Sequence, residues 1–568
     1  MSVQTSVGYF IRLLCPILLA FILAGTALAQ AVQSDPIGGD FIRQFQREAV
    51  ESKKADWIHW GDKPGTFSNW EQHSNRLIPV YTFGMSLDSI DDKNSAYRSK
   101  KKIKSLYQKL PEGTLNKKAA YFDQTQLYDL QQSAIEAGKK NIIVLLFDGM
   151  DWQTTQAAAI YRRQAITYTK GRGDILSFQT YSKAETDFGF CVTSCHNAGS
   201  KHDVDSQTVS NQGGNRSGGY NADLGGDEPW TRSASSTYLI GRHKTMADVY
   251  TDSAASATSI TTGKKTYNAA IALDYKGNQL TTIAHQLQAS GRSVGIATSV
   301  PISHASPAAT YAHNVTRNDY QDISRDLLGL PSVSHRGDPL PGMDVVVGCG
   351  WGKKRKDDFK KQGKDFVPGN KFLTAEDLAT IDANNGGNYV VATRTKGKLG
   401  AAVLAAAADE AIKKNKRLFG FFGTRHEHLP FQTADGKYDP TRGIDKVDRY
   451  SPEDLSENPA LADMATAALD VLGTNEKGFW LMVEAGDVDW ANHNNNIDNA
   501  IGAVFSGDAA FDAIATWVEK NSSWEDTLLI VTADHGHMMT LDKPEKLIRQ
   551  ETTAIEPKTL KESVSATK

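Results

Sequence analysis

An excess of charge of either sign is what this 568-residue sequence most clearly lacks: 63 Lys and Arg stand against 66 Asp and Glu, a net −3. With a pI near 6.5, bulk electrostatics offers no pull toward nucleic acid or anionic lipid, so neither is expected as a partner. Long apolar runs are scarce too. A hydrophobic content of 40% and a mean hydropathy of −0.42 exclude a polytopic membrane protein, and that content with 23% charged residues excludes a disordered one. Cysteine is sparse, with Cys15, Cys191, Cys195 and Cys349 only. A Cys191–Cys195 disulfide stays open, whereas a zinc clip fails because this CxxxC pair has no further ligands nearby. Cys349, after the run DVVVG, reads as a small buried hydrophobe.

The conspicuous apolar run is LLCPILLAFILAG, preceded by Arg12 and followed by Ala27-Leu28-Ala29. It is shorter than the ~20 residues that span a bilayer and ends in small residues, so 1–29 is expected to be a signal peptide, with Cys15 leaving in it. The mature chain is then expected to be periplasmic or secreted, with no stable membrane anchor.

Residues 30–140 read as an N-terminal extension with one helix, marked by Leu127, Leu130, Ala134 and Ala137 between Asp123 and Gly138. From 141 to 568 the rhythm changes. Short apolar runs recur and end on polar residues: IIVLLF before Asp148, SVGIATSV before His304, LFGFF near 420, FWLMV before Glu484, TLLIV before Asp534. Such runs alternating with helical stretches predict an α/β fold, a three-layer α/β/α sandwich around a large, mostly parallel sheet. Segments near 190–230 and 350–400, the second including the basic run GKKRKDDFKKQGK, read as surface insertions.

Ligands bind open α/β sheets beyond the carboxyl ends of the strands, where several side chains with metal or phosphate chemistry gather. Asp148 follows six apolar residues. In TDSAASATSITTG, Ser253 opens a helix whose free N–H groups favour a phosphate. Asp489 and His493 share one helical face just after Glu484, and Asp534 and His535 sit at another strand end. Uncompensated, these carboxylates would repel one another. Divalent cations would neutralise them and could clamp the attacking and leaving oxygens of a phosphoryl transfer, while Arg317 supplies a planar fork for phosphate oxygens.

In its nucleophile segment TDSAASATSITTGKKTYNAAIALD, and in the order of its other motifs over about 141–537, the sequence resembles the alkaline phosphatase family. The resemblance implies phosphate monoester hydrolysis through a phosphoserine on Ser253, with two zinc ions and one magnesium. Asp148, Asp534 and His535 would hold one zinc, and Asp489 and His493 would belong to the other. Asp148, Ser306 and Glu484 would hold magnesium, and Arg317 would orient the phosphate. His304 stands where the enterobacterial form has an aspartate and matches the animal-type variant, which bears on magnesium affinity. His313 also falls on a family histidine position and reads as packing. A homodimer is the implied assembly.

The family's second zinc takes a third protein ligand, a histidine on a later strand, but here the last histidine is His537 and the polar tail after it contains no apolar strand. Three expectations compete: a truncated chain, a surrogate ligand, or a metal- or phosphate-binding relative without ordinary catalysis. His537 is one surrogate, although strand alternation argues against it, and His426 and His428 are others. Phosphodiesterase or sulfatase chemistry fits less well, since the nucleophile is a serine.

Overall fold

Strands whose side chains are apolar on both faces must be covered on both faces, and the central strands of a ten-stranded sheet obey this. The computed structural model describes residues 40–244, 249–439, 441–445 and 447–549, so the expected signal peptide lies outside the described residues. In chain order the strands are β1 (Ile78–Phe83), β2 (Phe122–Asp123), β3 (Asn141–Phe147), β4 (Thr186–Val192), β5 (Ser293–Pro301), β6 (Val345–Cys349), β7 (Tyr389–Thr393), β8 (Arg417–Phe421), β9 (Phe479–Ala485) and β10 (Thr527–Thr532). Across the sheet they run β7-β8-β6-β5-β9-β3-β10-β1-β4-β2. Neighbours from β7 to β10 are parallel, and β1 alone runs against its neighbours β10 and β4.

Helices α1 (Gln126–Glu136), α2 (Trp152–Arg163), α3 (Ser253–Thr262), α4 (Gly400–Lys414), α5 (Leu461–Leu472), α6 (Asp487–His493) and α7 (Ile497–Asn521) cover the sheet. Successive residues of β9 show that the cover is two-sided. Phe479 packs on Trp517 of α7 with ring centroids 5.6 Å apart, while its neighbour Trp480 donates its indole N–H to Gln131 of α1 at 2.9 Å. Helices α2, α4, α5 and α7 pack together on the first face, and α1 and α3 on the second. Every residue of β3, β9 and β10 is buried, so each large aliphatic side chain there contributes about 1.5–3 kcal/mol by leaving water. The result is the expected α/β sandwich. Helix α1 also has Leu127, Leu130 and Ala134 buried as its spacing predicts, whereas Ala137 caps it at the surface.

Two sequence expectations change. Cys191 and Cys195 are both buried free thiols, not a disulfide. Cys191 lies on β4 opposite Ile78 and Phe122, and Cys195 lies past the strand end with its Sγ near the carbonyls of Asn197 (3.4 Å) and Tyr250 (3.8 Å). Burial also pushes the Cys195 thiol up to about 12, which removes its thiolate at neutral pH. Secondly, part of the segment read as an extension is built into the sheet. Residues 58–83 run antiparallel to 527–541 in three places: Ile58–Trp60 with Met539–Leu541, His73–Ser74 with Gly536–His537, and β1 with β10. The tail read as polar and strandless thus contributes Met539–Leu541 as a short strand. Of the segment near 350–400, Tyr389–Thr393 forms the edge strand β7.

Candidate functional site

The parallel strands β3, β5, β9 and β10 end at one place, and their following residues converge there. Asp148 directly follows β3 and is fully buried. Gly149 next to it adopts φ +71°, turning its N–H onto Asp534 Oδ1 at 2.9 Å, and His535 N–H reaches the same oxygen at 2.9 Å. Asp534 and His535 follow β10. Glu484 sits near the end of β9 and accepts a hydrogen bond from Thr298 of β5. Asp489 and His493 lie four residues apart on α6, His493 Nε2 being 3.3 Å from Asp489 Oδ1.

Helix α3 aims its N-terminus into this group. Asp252 caps it, one carboxylate oxygen accepting from Ala255 N–H (3.0 Å) and the other from Ala269 N–H (3.0 Å) and from Arg317 Nη1 (3.2 Å). Ser253 is therefore the first helical residue rather than the cap, and the first-turn N–H groups beside it have no intrahelical acceptor. The Ser253 hydroxyl lies 3.2 Å from His535 Nε2 and is buried. Arg317, bound to Asp252 beside Ser253, also has Nη2 3.4 Å from His304 Nε2. Ser306 Oγ is 3.4 Å from Asp148 Oδ2.

Three sets of side chains bring potential ligand atoms within 4.8 Å of one another: His73, Asp489, His493 and His537; Asp148, Asp489 and His535; and Asp148, His304 and Glu484. His535 Nε2 is also 3.3 Å from Asp148 Oδ1 and 3.3 Å from Asp534 Oδ2. All nine residues singled out from the sequence therefore gather here: Ser253, Arg317, Asp148, Ser306, Glu484, Asp489, His493, Asp534 and His535. Of the other histidines considered, His304 and His537 join these sets, whereas His313, His426 and His428 do not among the described residues. His313 bonds with His335 and the Leu280 carbonyl, and His426 and His428 both face Asp448.

Electrostatically the cluster is incomplete. Burial, and then the charges of Asp534, Asp489 and Glu484, hold the Asp148 carboxyl well above the usual range. Burial pushes Glu484 up to about 8 and Asp534 up to about 6. Burial also raises Asp489, but its histidine neighbours, His493 first, outweigh that and hold it well below. Burial, then the neighbouring His73, pulls His535 well below its usual range. Asp148 Oδ1, Glu484 Oε1, Asp534 Oδ2 and His535 Nδ1 are buried without a hydrogen-bond partner. Orphaned carboxylate oxygens in such proximity are costly, and cations would satisfy them. The mixed oxygen and nitrogen donors fit zinc around His535 and His493, and the oxygens of Asp148 and Glu484 fit magnesium.

Sequence reasoning missed His73. It is buried, stacks on His535 with centroids 3.6 Å apart, and places Nε2 3.0 Å from His493 Nε2. The signal that could have found it is Ile78-Pro-Val-Tyr-Thr-Phe, a strand-like apolar run that begins shortly after it, beyond Leu77.

A sequence model of the family described as alkaline phosphatase matches residues 221–562. Among curated proteins, alkaline phosphatase 4 of Bacillus subtilis is 31% identical over 50% of this chain and 49% of its own length. The alkaline phosphatase of Escherichia coli K12 is 28% identical over 54% of this chain and 62% of its own. The chain thus spans about half to three fifths of the length of these relatives. A cold-active alkaline phosphatase structure from a psychrophilic Shewanella shares 23% identity, with a TM-score of 0.40, over 70% of this chain and 68% of that one.

Proposed function

Since the chain belongs to the alkaline phosphatase family, we propose that it hydrolyses phosphate monoesters to an alcohol and phosphate through a phosphoserine on Ser253. The observation that carries this reading is the Ser253 hydroxyl, at a helix N-terminus and 3.2 Å from His535 within a cluster of orphaned metal-ligand atoms.

In this reading Asp148, Asp534 and His535 hold one zinc, Asp489 and His493 contribute to a second, and Asp148, Ser306 and Glu484 hold magnesium. His304 stands beside Asp148 and Glu484, a nitrogen donor where magnesium prefers oxygen, so that position is expected to bind magnesium weakly. When bound, the divalent ions would make the serine hydroxyl easier to ionise and stabilise charge on the phosphoryl and leaving oxygens.

The chain's own residues do the rest. Arg317, steadied by Asp252, presents guanidinium N–H groups to two phosphate oxygens, and the open N–H groups of α3 face the phosphate from the other side. This holds phosphorus in line with the Ser253 Oγ. The Oγ proton passes to solvent, the Oγ–P bond forms and the ester P–O bond breaks, and the leaving alkoxide takes a proton. Water then attacks the phosphoserine, releasing phosphate and restoring the hydroxyl.

The test is p-nitrophenyl phosphate turnover at alkaline pH with added zinc and magnesium, for the wild type and Ser253→Ala. Loss of turnover in the variant supports the proposal. Equal, negligible rates in both would refute it in favour of a binding-only relative. The apolar run at 13–25, with small residues after it, supports export and hence a periplasmic or secreted location. The homodimer that the family resemblance implies is checked by gel filtration.

A further inference from the structure

We infer that His73 is a direct ligand of the metal held by Asp489 and His493, so that residues 58–83 complete the metal centre and are locked in place by it. The inference rests on the phosphatase reading of the site and assigns a residue that reading leaves out.

The hydrogen bonds of the imidazoles carry the argument. His73 Nδ1 lies 2.9 Å from the Thr251 carbonyl, and His493 Nδ1 lies 2.5 Å from the Glu71 carbonyl. A carbonyl only accepts, so both Nδ1 atoms carry a proton, and in the neutral imidazoles, the form that binds metal, both Nε2 atoms present lone pairs. Those two Nε2 atoms face each other at 3.0 Å, with Asp489 Oδ1 3.5 Å from one and 3.3 Å from the other. Two lone pairs and a carboxylate oxygen converging on one point in a buried place repel unless a cation lies among them. A carbonyl on the far nitrogen is also how proteins fix a metal-binding histidine.

His537 differs. Its Nε2 lies 2.8 Å from Asp489 Oδ1, the distance of an N–H donating to a carboxylate. In the proposed arrangement that nitrogen donates to Asp489 and orients it, rather than offering a lone pair to the metal. Asp489, His493 and His73 then give three protein ligands with a fourth position open, the arrangement of a catalytic rather than a structural zinc.

The same segment grips α6 a second time. Glu71 supplies the carbonyl that orients His493, and the Trp70 carbonyl accepts from Asn495 at 3.0 Å. Residue 73 itself is held in register by its pairing with His537.

The experiment is a zinc titration of the metal-stripped full chain, with the stoichiometry and both affinities read for wild type, His73→Ala and His537→Ala. Cobalt(II) spectra of His73→Cys and His537→Cys accompany it. We expect two tight zinc ions in wild type and one of them weakened about 100-fold or more in His73→Ala, beyond the 10–100-fold that loss of a supporting residue costs. We further expect a thiolate-to-cobalt charge-transfer band in His73→Cys and none in His537→Cys. Amide exchange in 58–83 should slow on adding zinc to wild type but not to His73→Ala.

The cysteine variant gives a gained signal, so a merely misfolded alanine variant does not decide the matter. Ser253-dependent turnover with unchanged zinc binding in His73→Ala and no band in His73→Cys would overturn this inference alone. A wild type that binds no zinc and shows no Ser253-dependent turnover would overturn the phosphatase reading with it.

Discussion

Replacing Gly149 by alanine probes the backbone turn on which both halves of the site depend. Gly149 follows Asp148 with φ +71°, and a Cβ there would lie 2.9 Å from His537 Cδ2 and Nε2 and 3.1 Å from Asp489 Cα. The left-handed conformation costs a non-glycine residue about 1–2 kcal/mol. Forcing a methyl against a buried ring costs a further 1–3 kcal/mol or so by overpacking. Gly138 separates the two parts, because it has φ +85° with nothing within 4 Å of its added Cβ. Urea unfolding of the metal-free proteins should therefore show Gly149→Ala losing about 2–5 kcal/mol and Gly138→Ala about 1–2 kcal/mol, with zinc affinity reduced only in the first. That reduction follows because Gly149 N–H anchors Asp534 and His537 orients Asp489. If Gly149→Ala is no less stable than Gly138→Ala and binds zinc as wild type does, the packing argument is refuted.

Arg317→Lys keeps the charge but loses the fork, about one charge-assisted hydrogen bond of 1.5–3 kcal/mol. Phosphatase kcat/KM should fall roughly 10- to 100-fold, and a loss under twofold would show that Arg317 does not grip the phosphate. Asp326, away from the metal-ligand sets, offers a pH test: burial, only partly offset by the His313 backbone N–H, raises its carboxyl from 3.8 to about 7. Its contribution to stability is thus complete below about pH 4 and lost as pH rises through about 7, about 4 kcal/mol in all. Asp326→Asn escapes that loss, so its stability relative to wild type should grow by about 2–3 kcal/mol between pH 5 and 8 in urea unfolding. A difference that stays flat with pH would refute it.

The parts legible in the sequence were those encoded by local pattern. Buried parallel strands leave unbroken apolar runs, so β3, β5, β8, β9 and β10 could be read directly, and the side chains at several of their ends became site candidates through the strand-end rule. Strands β6 and β7 were not recognised as strands: VVVGC ends on Gly348 and Cys349 rather than on a charged or polar residue, and YVVAT lies within the segment read as an insertion. The Cys191–Cys195 pairing was open on spacing alone, since spacing does not say where each Sγ points. His73 escaped for a different reason. Its neighbours in EQHSN are polar, and its contacts lie 178 residues away at Thr251 and 420 away at His493.

Chain order is a weak constraint on such a site, and elementary polymer physics says why. The entropy of closing a flexible loop grows only as the logarithm of its length, so bringing His73 to His493 across 420 residues costs about 3 kcal/mol more than closing a 20-residue loop. The sheet meets most of that cost before any ion arrives, since pairing of β1 with β10 already brings residues 73 and 537 into one short ladder. A ligand can therefore enter from a segment before the first strand-end aspartate as readily as from one after the last histidine, provided that segment lies antiparallel beside β10. What the site requires is the strand in that place, and motifs read in linear order are blind to the direction from which it comes.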